Sequence, residues 1–109
     1  MHERIAIITR NNKLIELKNI AKGDDRFQVD PEEFYKYTNE IKAIVHTHKD
    51  SCEPSLSDLQ YMSLWEVPWI ICSKKCVKAY LFTALGILEI NVNSLIPKEL
   101  HNLLMKLLQ

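Results

Sequence analysis

Two histidines one residue apart, His46-Thr47-His48, are followed after six residues by Ser55-Leu56-Ser57-Asp58. These residue types, so spaced, suit a metal. His46 and His48 end the apolar run Ala43-Ile44-Val45, which reads as a strand, and side chains two apart on a strand share a face. Two imidazoles on one face supply half of a zinc site. Asp58 falls in the first turn of an expected helix, where its carboxylate can face back across the loop towards both histidines. Two histidines, an aspartate and one open position make a catalytic zinc arrangement rather than a closed structural one. Zinc lowers the pKa of its water to about 7. Hydrolysis then needs a second carboxylate to take the proton and pass it to a leaving amine. Glu3, just ahead of the first strand, is the candidate. Ser55 is the candidate stabiliser of the oxyanion through its hydroxyl. Asp50, Cys52 and Glu53 are rival third ligands. Asp50 continues the alternation of His46 and His48, whereas a helix would hold Asp58 rigidly.

Each of these residues also has a plainer role. Ser55-x-x-Asp58 fits a helix capping box. A His-x-His pair alone is often two unrelated polar residues at a strand end. Glu3 fits a solvated terminal charge. Trp65 and Trp69 suit packing better than a substrate platform. Lys74, Lys75 and Lys78 suit a solvated turn, and His101 a helix surface.

The elements that must position these residues are legible in outline. Arg4 to Thr9 and Leu14 to Leu17 read as a hairpin around Asn11-Asn12. Ala21 to Asp25 reads as loop and Arg26 to Val29 as a short extended stretch. Asp30 caps a helix from Pro31 to about Asn39, with Glu33 placed as a capping-box acid and Phe34 with Tyr37 or Tyr35 inward. Lys42 to Thr47 is a strand apolar enough to be covered on both faces. Ser55 opens a helix to about Glu66, with Leu59, Met62, Leu56 and Trp65 as its candidate apolar face. Trp69 to Cys72, Val77 to Thr83 and Ile87 to Val92 read as strands. Pro97 starts an amphipathic helix that ends near Leu108, apolar at 100, 103, 104, 107 and 108. The expected class is therefore mixed α/β, one sheet with helices packed on it.

Glu3, His46-Thr47-His48 and Ser55-x-x-Asp58 together resemble the motif of the JAMM (MPN-type) zinc metalloproteases: a glutamate, then H-x-H, a spacer, and S-x-x-D. Further stretches follow in an order similar to the JAMM domain of bacteriophage tail-assembly proteins. They are Lys18-Asn19-Ile20-Ala21, Phe27-Gln28-Val29-Asp30-Pro31, Ile44-Val45-His46-Thr47-His48, Pro54-Ser55 and Pro68-Trp69-Ile70. The likeness covers roughly residues 3–73. It implies His46, His48 and Asp58 as ligands of one Zn2+ per chain, Glu3 as general acid/base and Ser55 as oxyanion stabiliser. The implied reaction is hydrolysis of a peptide or isopeptide bond. The implied fold is a single curved sheet flanked by helices, of cytidine-deaminase-like/MPN-type architecture, over one domain spanning 1–109. Implied partners are a peptide or protein substrate, phage tail proteins and a cell-wall peptidase of the NlpC type. The implied location is the host cytoplasm or the virion. A catalytically inactive MPN-type scaffold in tail assembly is the alternative, and a RadC-like relative linked to DNA repair is a third.

Three features depart from the pattern. Lys49 stands where the family has proline, Glu3 follows almost nothing where the family has a helix, and the stretch after Ser73 shows no likeness to the NlpC-type domain that often accompanies the phage type. The lack of that helix would leave an apolar sheet face for a partner to cover.

Composition bounds these readings. The chain has 109 residues, with 14 Lys+Arg against 14 Asp+Glu. One domain is expected. The zero formal charge offers no field for nucleic acid, and no apolar run is long enough for a membrane. Three cysteines, Cys52, Cys72 and Cys76, are an odd count. They suggest a reducing compartment or a fold that does not depend on disulfides. Cys72 and Cys76 alone are too few for a structural zinc. The Leu-rich last helix is expected to pack into the core, with a homodimer through it as the alternative.

Overall fold

The computed structural model describes residues 3–21 and 28–107. Ten elements follow in order: β1 (Ile5–Thr9), β2 (Leu14–Leu17), α1 (Pro31–Tyr35), β3 (Ile41–Thr47), α2 (Leu56–Leu64), β4 (Trp69–Cys72), β5 (Val77–Thr83), β6 (Gly86–Ile90), α3 (Val92–Leu95) and α4 (Lys98–Lys106). The strands form one mixed sheet in the order β2-β1-β3-β4-β5-β6. Only β3 and β4 run parallel, as their connection through α2 requires. The loop and extended stretch expected over 21–29 lie mostly outside the described residues. Val29 is described, and forms an isolated antiparallel bridge with Asn19.

The three central strands, β1, β3 and β4, are buried along almost their whole length. Their β-branched runs are what strands covered on both faces require. Alternation sorts them into two cores. Ile5, Ile7, Ile44, Trp69 and Ile71 face α1 and α2, where Phe34 and Met62 meet them. Ala6, Ile8, Ala43, Val45 and Ile70 face the other way, under Ile96, Leu100, Leu104 and Leu107. The apolar face expected to await a partner is therefore covered by the chain's own C-terminal segment. Arg4 ties that segment down by donating from Nη1 to the Leu107 carbonyl at 2.9 Å.

Several expected bounds shift for local reasons. α1 stops at Tyr35, and residues 36–40 continue as turns, with Tyr37 N–H donating to Phe34 O and Glu40 N–H to Tyr37 O. Phe34 is buried, Tyr37 half-buried and Tyr35 exposed, so Tyr37 is the second inward residue. Asp30 caps α1 as expected, but Glu33 accepts instead from the Lys18 N–H at 3.0 Å. On α2, Leu56 is 81% exposed and leaves the apolar face to Met62, Leu59 and Trp65. β6 ends at Ile90, because Asn91 turns to cap the short α3. In α4, Leu100 and Leu104 point into the core, as does Leu107 at its end, while Leu103 stays exposed. Leu108 lies outside the described residues.

The cysteines overturn an expectation. Cys52 and Cys76 form a disulfide, and Cys72 is free and buried. Strand geometry explains the pairing. Cys72 sits on the α4 side of the sheet, whereas Cys52 and Cys76 pack on the α2 side. The four-residue spacing from Cys72 to Cys76 thus joins opposite faces.

No helix among the described residues is long and apolar enough to cross a membrane.

Candidate metal centre

Strand pairing brings the candidate residues together. β1 is antiparallel to β3, with Ile5 opposite His46 and Ile7 opposite Ile44. Continuing that register sets Glu3 opposite His48, on the face that carries His46. Backbone bonds extend the pairing to this point: Thr47 N–H donates to Arg4 O, and Arg4 N–H to the Thr47 hydroxyl. Loop 49–54 then carries the chain over that face into α2, whose first turn returns Asp58.

Four side chains from three parts of the chain meet there. Glu3 Oε1 lies 3.6 Å from His46 Nδ1. His46 Nε2 lies 3.5 Å from Asp58 Oδ1, and His48 Nε2 lies 3.0 Å from Asp58 Oδ2. The two imidazoles stand edge to face, with centroids 4.8 Å apart. His46 and Asp58 are buried, and Glu3 and His48 are half-buried at the rim.

Glu3, His46 and His48 form a group that could hold a metal ion, each offering one ligand atom within 4.8 Å of the others. Donor chemistry fits. Ligands at 2.0–2.2 Å around a four-coordinate ion stand about 3.3–3.6 Å apart; the Asp58 carboxylate lies 3.5 Å from His46 Nε2 and 3.0 Å from His48 Nε2, whereas Glu3 meets the opposite nitrogen of His46, Nδ1, at 3.6 Å. The geometry thus offers Glu3 as a ligand beside the histidines, where the sequence offered Asp58 for that place. Asp58 touches both histidines but is not part of that group.

Asp58 has a second engagement. Its Oδ2 accepts the Ser55 N–H at 2.7 Å, while Ser55 Oγ accepts the Asp58 N–H at 3.2 Å, a reciprocal capping box. The plain reading of Ser55-x-x-Asp58 therefore holds alongside any ligand role, since Oδ1 is left facing His46. Ser55 itself is exposed at the helix cap, with Oγ 3.1 Å from Ser57 Oγ.

Charge is tuned across the cluster. Burial opposes ionisation of Asp58, but hydrogen bonding to His48, the nearby His46 and the Ser55 N–H outweigh it and hold the carboxyl below its ordinary range. Burial likewise pushes His48 down, yet Asp58, then Glu3 and the Ser51 backbone, bring it above the usual histidine value. Both shifts favour a charged Asp58–His48 pair, so a cation bound here would have to displace the His48 proton.

The rival ligands fall away from the site. Cys52 is bonded to Cys76, Asp50 is exposed, and exposed Glu53 lies 3.4 Å from Lys78 Nζ. Cys72 lies on the α4 side of the sheet, away from the site. Trp69 packs against His46 with centroids 5.8 Å apart, and Trp65 against Phe34 at 4.4 Å. Both tryptophans are packing residues, as the sequence suggested.

No protein-family model matches the chain, and no curated protein matches it as a relative.

Proposed function

We propose that the protein is a zinc-dependent metallopeptidase of the JAMM (MPN) type, cleaving a peptide or isopeptide bond. What carries the reading is the meeting of Glu3, His46, His48 and Asp58 within 3.0–3.6 Å contacts at the carboxyl end of β3. Glu3 stands far from the others in the chain and is brought in by the register of β1 against β3, while loop 49–54 and α2 return Asp58. The mixed sheet with α2 crossing between parallel β3 and β4 is compatible with the MPN-type architecture that the motif implies.

His46, His48 and Asp58 would hold the ion, an N/N/O set of borderline softness that suits zinc. Zinc, when bound, supplies Lewis acidity, activating water near neutral pH and polarising a carbonyl. Glu3 is half-buried beside the histidines, where a carboxylate can take a proton from water and deliver it to the leaving amine. Ser55 keeps its hydroxyl hydrogen while its oxygen caps α2, so it can donate to a developing oxyanion. Trp69 and the buried sheet floor exclude water beneath His46 and hold its ring in place. The substrate is a peptide or protein, with phage tail proteins and a cell-wall peptidase as proposed partners, in the host cytoplasm or the virion.

Elemental analysis of the untagged protein beside H48A and D58A tests the reading. One zinc per chain, lost in both variants, together with chelator-sensitive cleavage of a peptide library, is the expected outcome. A wild type that takes up no zinc even after refolding with it refutes the reading and leaves a non-catalytic assembly module.

A further inference from the structure

The loop that joins His48 to Ser55 is polar and outward-facing except at one point. Across residues 49–54, Cys52 alone is fully buried, at 3% exposure. Three ties converge on it. The disulfide fastens it to Cys76, just before β5. The Tyr80 hydroxyl, on β5, donates to the Cys52 carbonyl at 2.7 Å. Ser73 Oγ packs 3.6 Å from the Cys52 sulfur and 3.3 Å from that of Cys76. On one side of Cys52, the Ser51 backbone interacts with the His48 imidazole. On the other, two residues lead to Ser55, whose N–H and hydroxyl fix Asp58.

We propose that the Cys52–Cys76 disulfide is a positioning element of the metal centre, and that its thiol–disulfide state sets how tightly the centre holds a divalent metal. The inference rests on the reading that His46, His48 and Asp58 hold that metal. His46 is fixed by the sheet and needs no help. His48 lies just past the strand end, its N–H donating to Cys72 O at 2.8 Å, and Asp58 sits in the first turn of α2, so loop 49–54 joins the two. A free loop would leave the spacing of the two ligands to be fixed when the metal binds, and that cost weakens affinity. Anchoring the loop at its middle removes part of the cost beforehand. The Ser51 backbone, next to the anchor, is also placed to orient His48, as backbone carbonyls commonly do for metal-bound imidazoles.

The chemistry of the switch balances simply. Two thiols of a dithiol reductant deliver two electrons and two protons to the disulfide and leave as their own disulfide. Closure returns them to an oxidised thiol such as glutathione disulfide. A reducing compartment thus leaves the loop untied and the centre weak. An oxidising one closes the bond and tightens it.

The test is zinc affinity by competition with a chromophoric chelator, on the full chain with circular dichroism as the check on folding. Oxidised wild type is expected to bind one zinc. C52S/C76S, which cannot close the bond and adds no thiolate ligand, is expected to bind about 10- to 100-fold more weakly, the range seen when groups that orient ligands are lost. Y80F keeps the disulfide and the ring but loses the bond to Cys52, and should weaken binding in the same direction. C72S, on the other face of the sheet, should leave affinity unchanged. Reduction of the wild type with a phosphine, removed before titration, should lower affinity, and glutathione disulfide should restore it. Equal affinity in wild type and folded C52S/C76S overturns the proposal. If that variant does not fold, wild-type affinity in Y80F does so instead. Affinity that stays the same or rises on reduction overturns the switch. No zinc on oxidised wild type overturns the metal reading itself, and this inference with it.

Discussion

Replacing Asp58 with asparagine separates its two engagements. Asparagine keeps a side-chain oxygen that can accept the Ser55 N–H, now made at 2.7 Å. The cap of α2 should survive, and the metal-free melting temperature should move little. Alanine removes that acceptor as well, and loss of a cap costs about 1 kcal/mol, roughly 4 °C for a domain near this size. Metal binding should respond differently. Either substitution removes the carboxylate that lies 3.5 Å from His46 and 3.0 Å from His48. A lost ligand should weaken zinc by at least about 100-fold, more than groups that only orient ligands. At saturating zinc that is about 2.7 kcal/mol of lost stabilisation, or roughly 10 °C. The assay is a thermal melt of wild type, D58N and D58A, with and without zinc, beside a direct zinc titration. The expected pattern is D58N close to wild type without metal, with both variants losing most of the zinc-induced shift. D58N with the full wild-type shift would refute the ligand role. Asp58 would then be a cap alone, and Glu3 would take its place in the Glu3, His46 and His48 group.

Three further outcomes follow. E3Q should keep one zinc per chain while kcat falls about 100- to 10,000-fold, the usual weight of a general acid/base; loss of zinc in E3Q would instead make Glu3 a ligand. Cys72 should resist a disulfide-exchange reagent at about pH 8 in the folded protein and react at once in denaturant, since burial pushes its thiol up to about 12; rapid native reaction would contradict the burial of β4 beneath α4. Metal-free stability should peak between two limits. Asp58, held below its ordinary 3.8, contributes stability that is present above that value and lost as pH falls through the depressed one. His48, raised above 6.5, contributes stability that is present below 6.5 and lost as pH rises through the raised value. Urea midpoints across that range test the signs, and a midpoint that keeps rising past neutrality would contradict the His48 assignment.

The sequence revealed the strands because their burial is written in composition. Runs such as Ile5-Ala6-Ile7-Ile8 and Trp69-Ile70-Ile71 have few other places to go than the middle of a sheet. His46 and His48 were legible as a pair for the same reason, since a strand has a fixed period of two. α3 was not legible, because four residues carry no periodicity and only the Asn91 cap signals it. The shift from Asp58 alone to Glu3 as a competing ligand was hidden too. It depends on the register of β1 against β3, and a run that is apolar at every position leaves register unmarked.

The cysteines show most clearly where linear spacing misleads. Cys72 and Cys76 look like a pair because they are close in the chain. A strand places Cys72 on one face, the following turn returns Cys76 to the other, and the partner of Cys76 comes from the loop after His48 instead. That choice bears on the candidate metal centre, since the free thiol is kept behind the sheet and the disulfide ties down the loop between His48 and α2. The loop that carried the ambiguity in the sequence thereby becomes a support for the residues at its two ends, with the Tyr80 hydroxyl donating to the Cys52 carbonyl as a second tie.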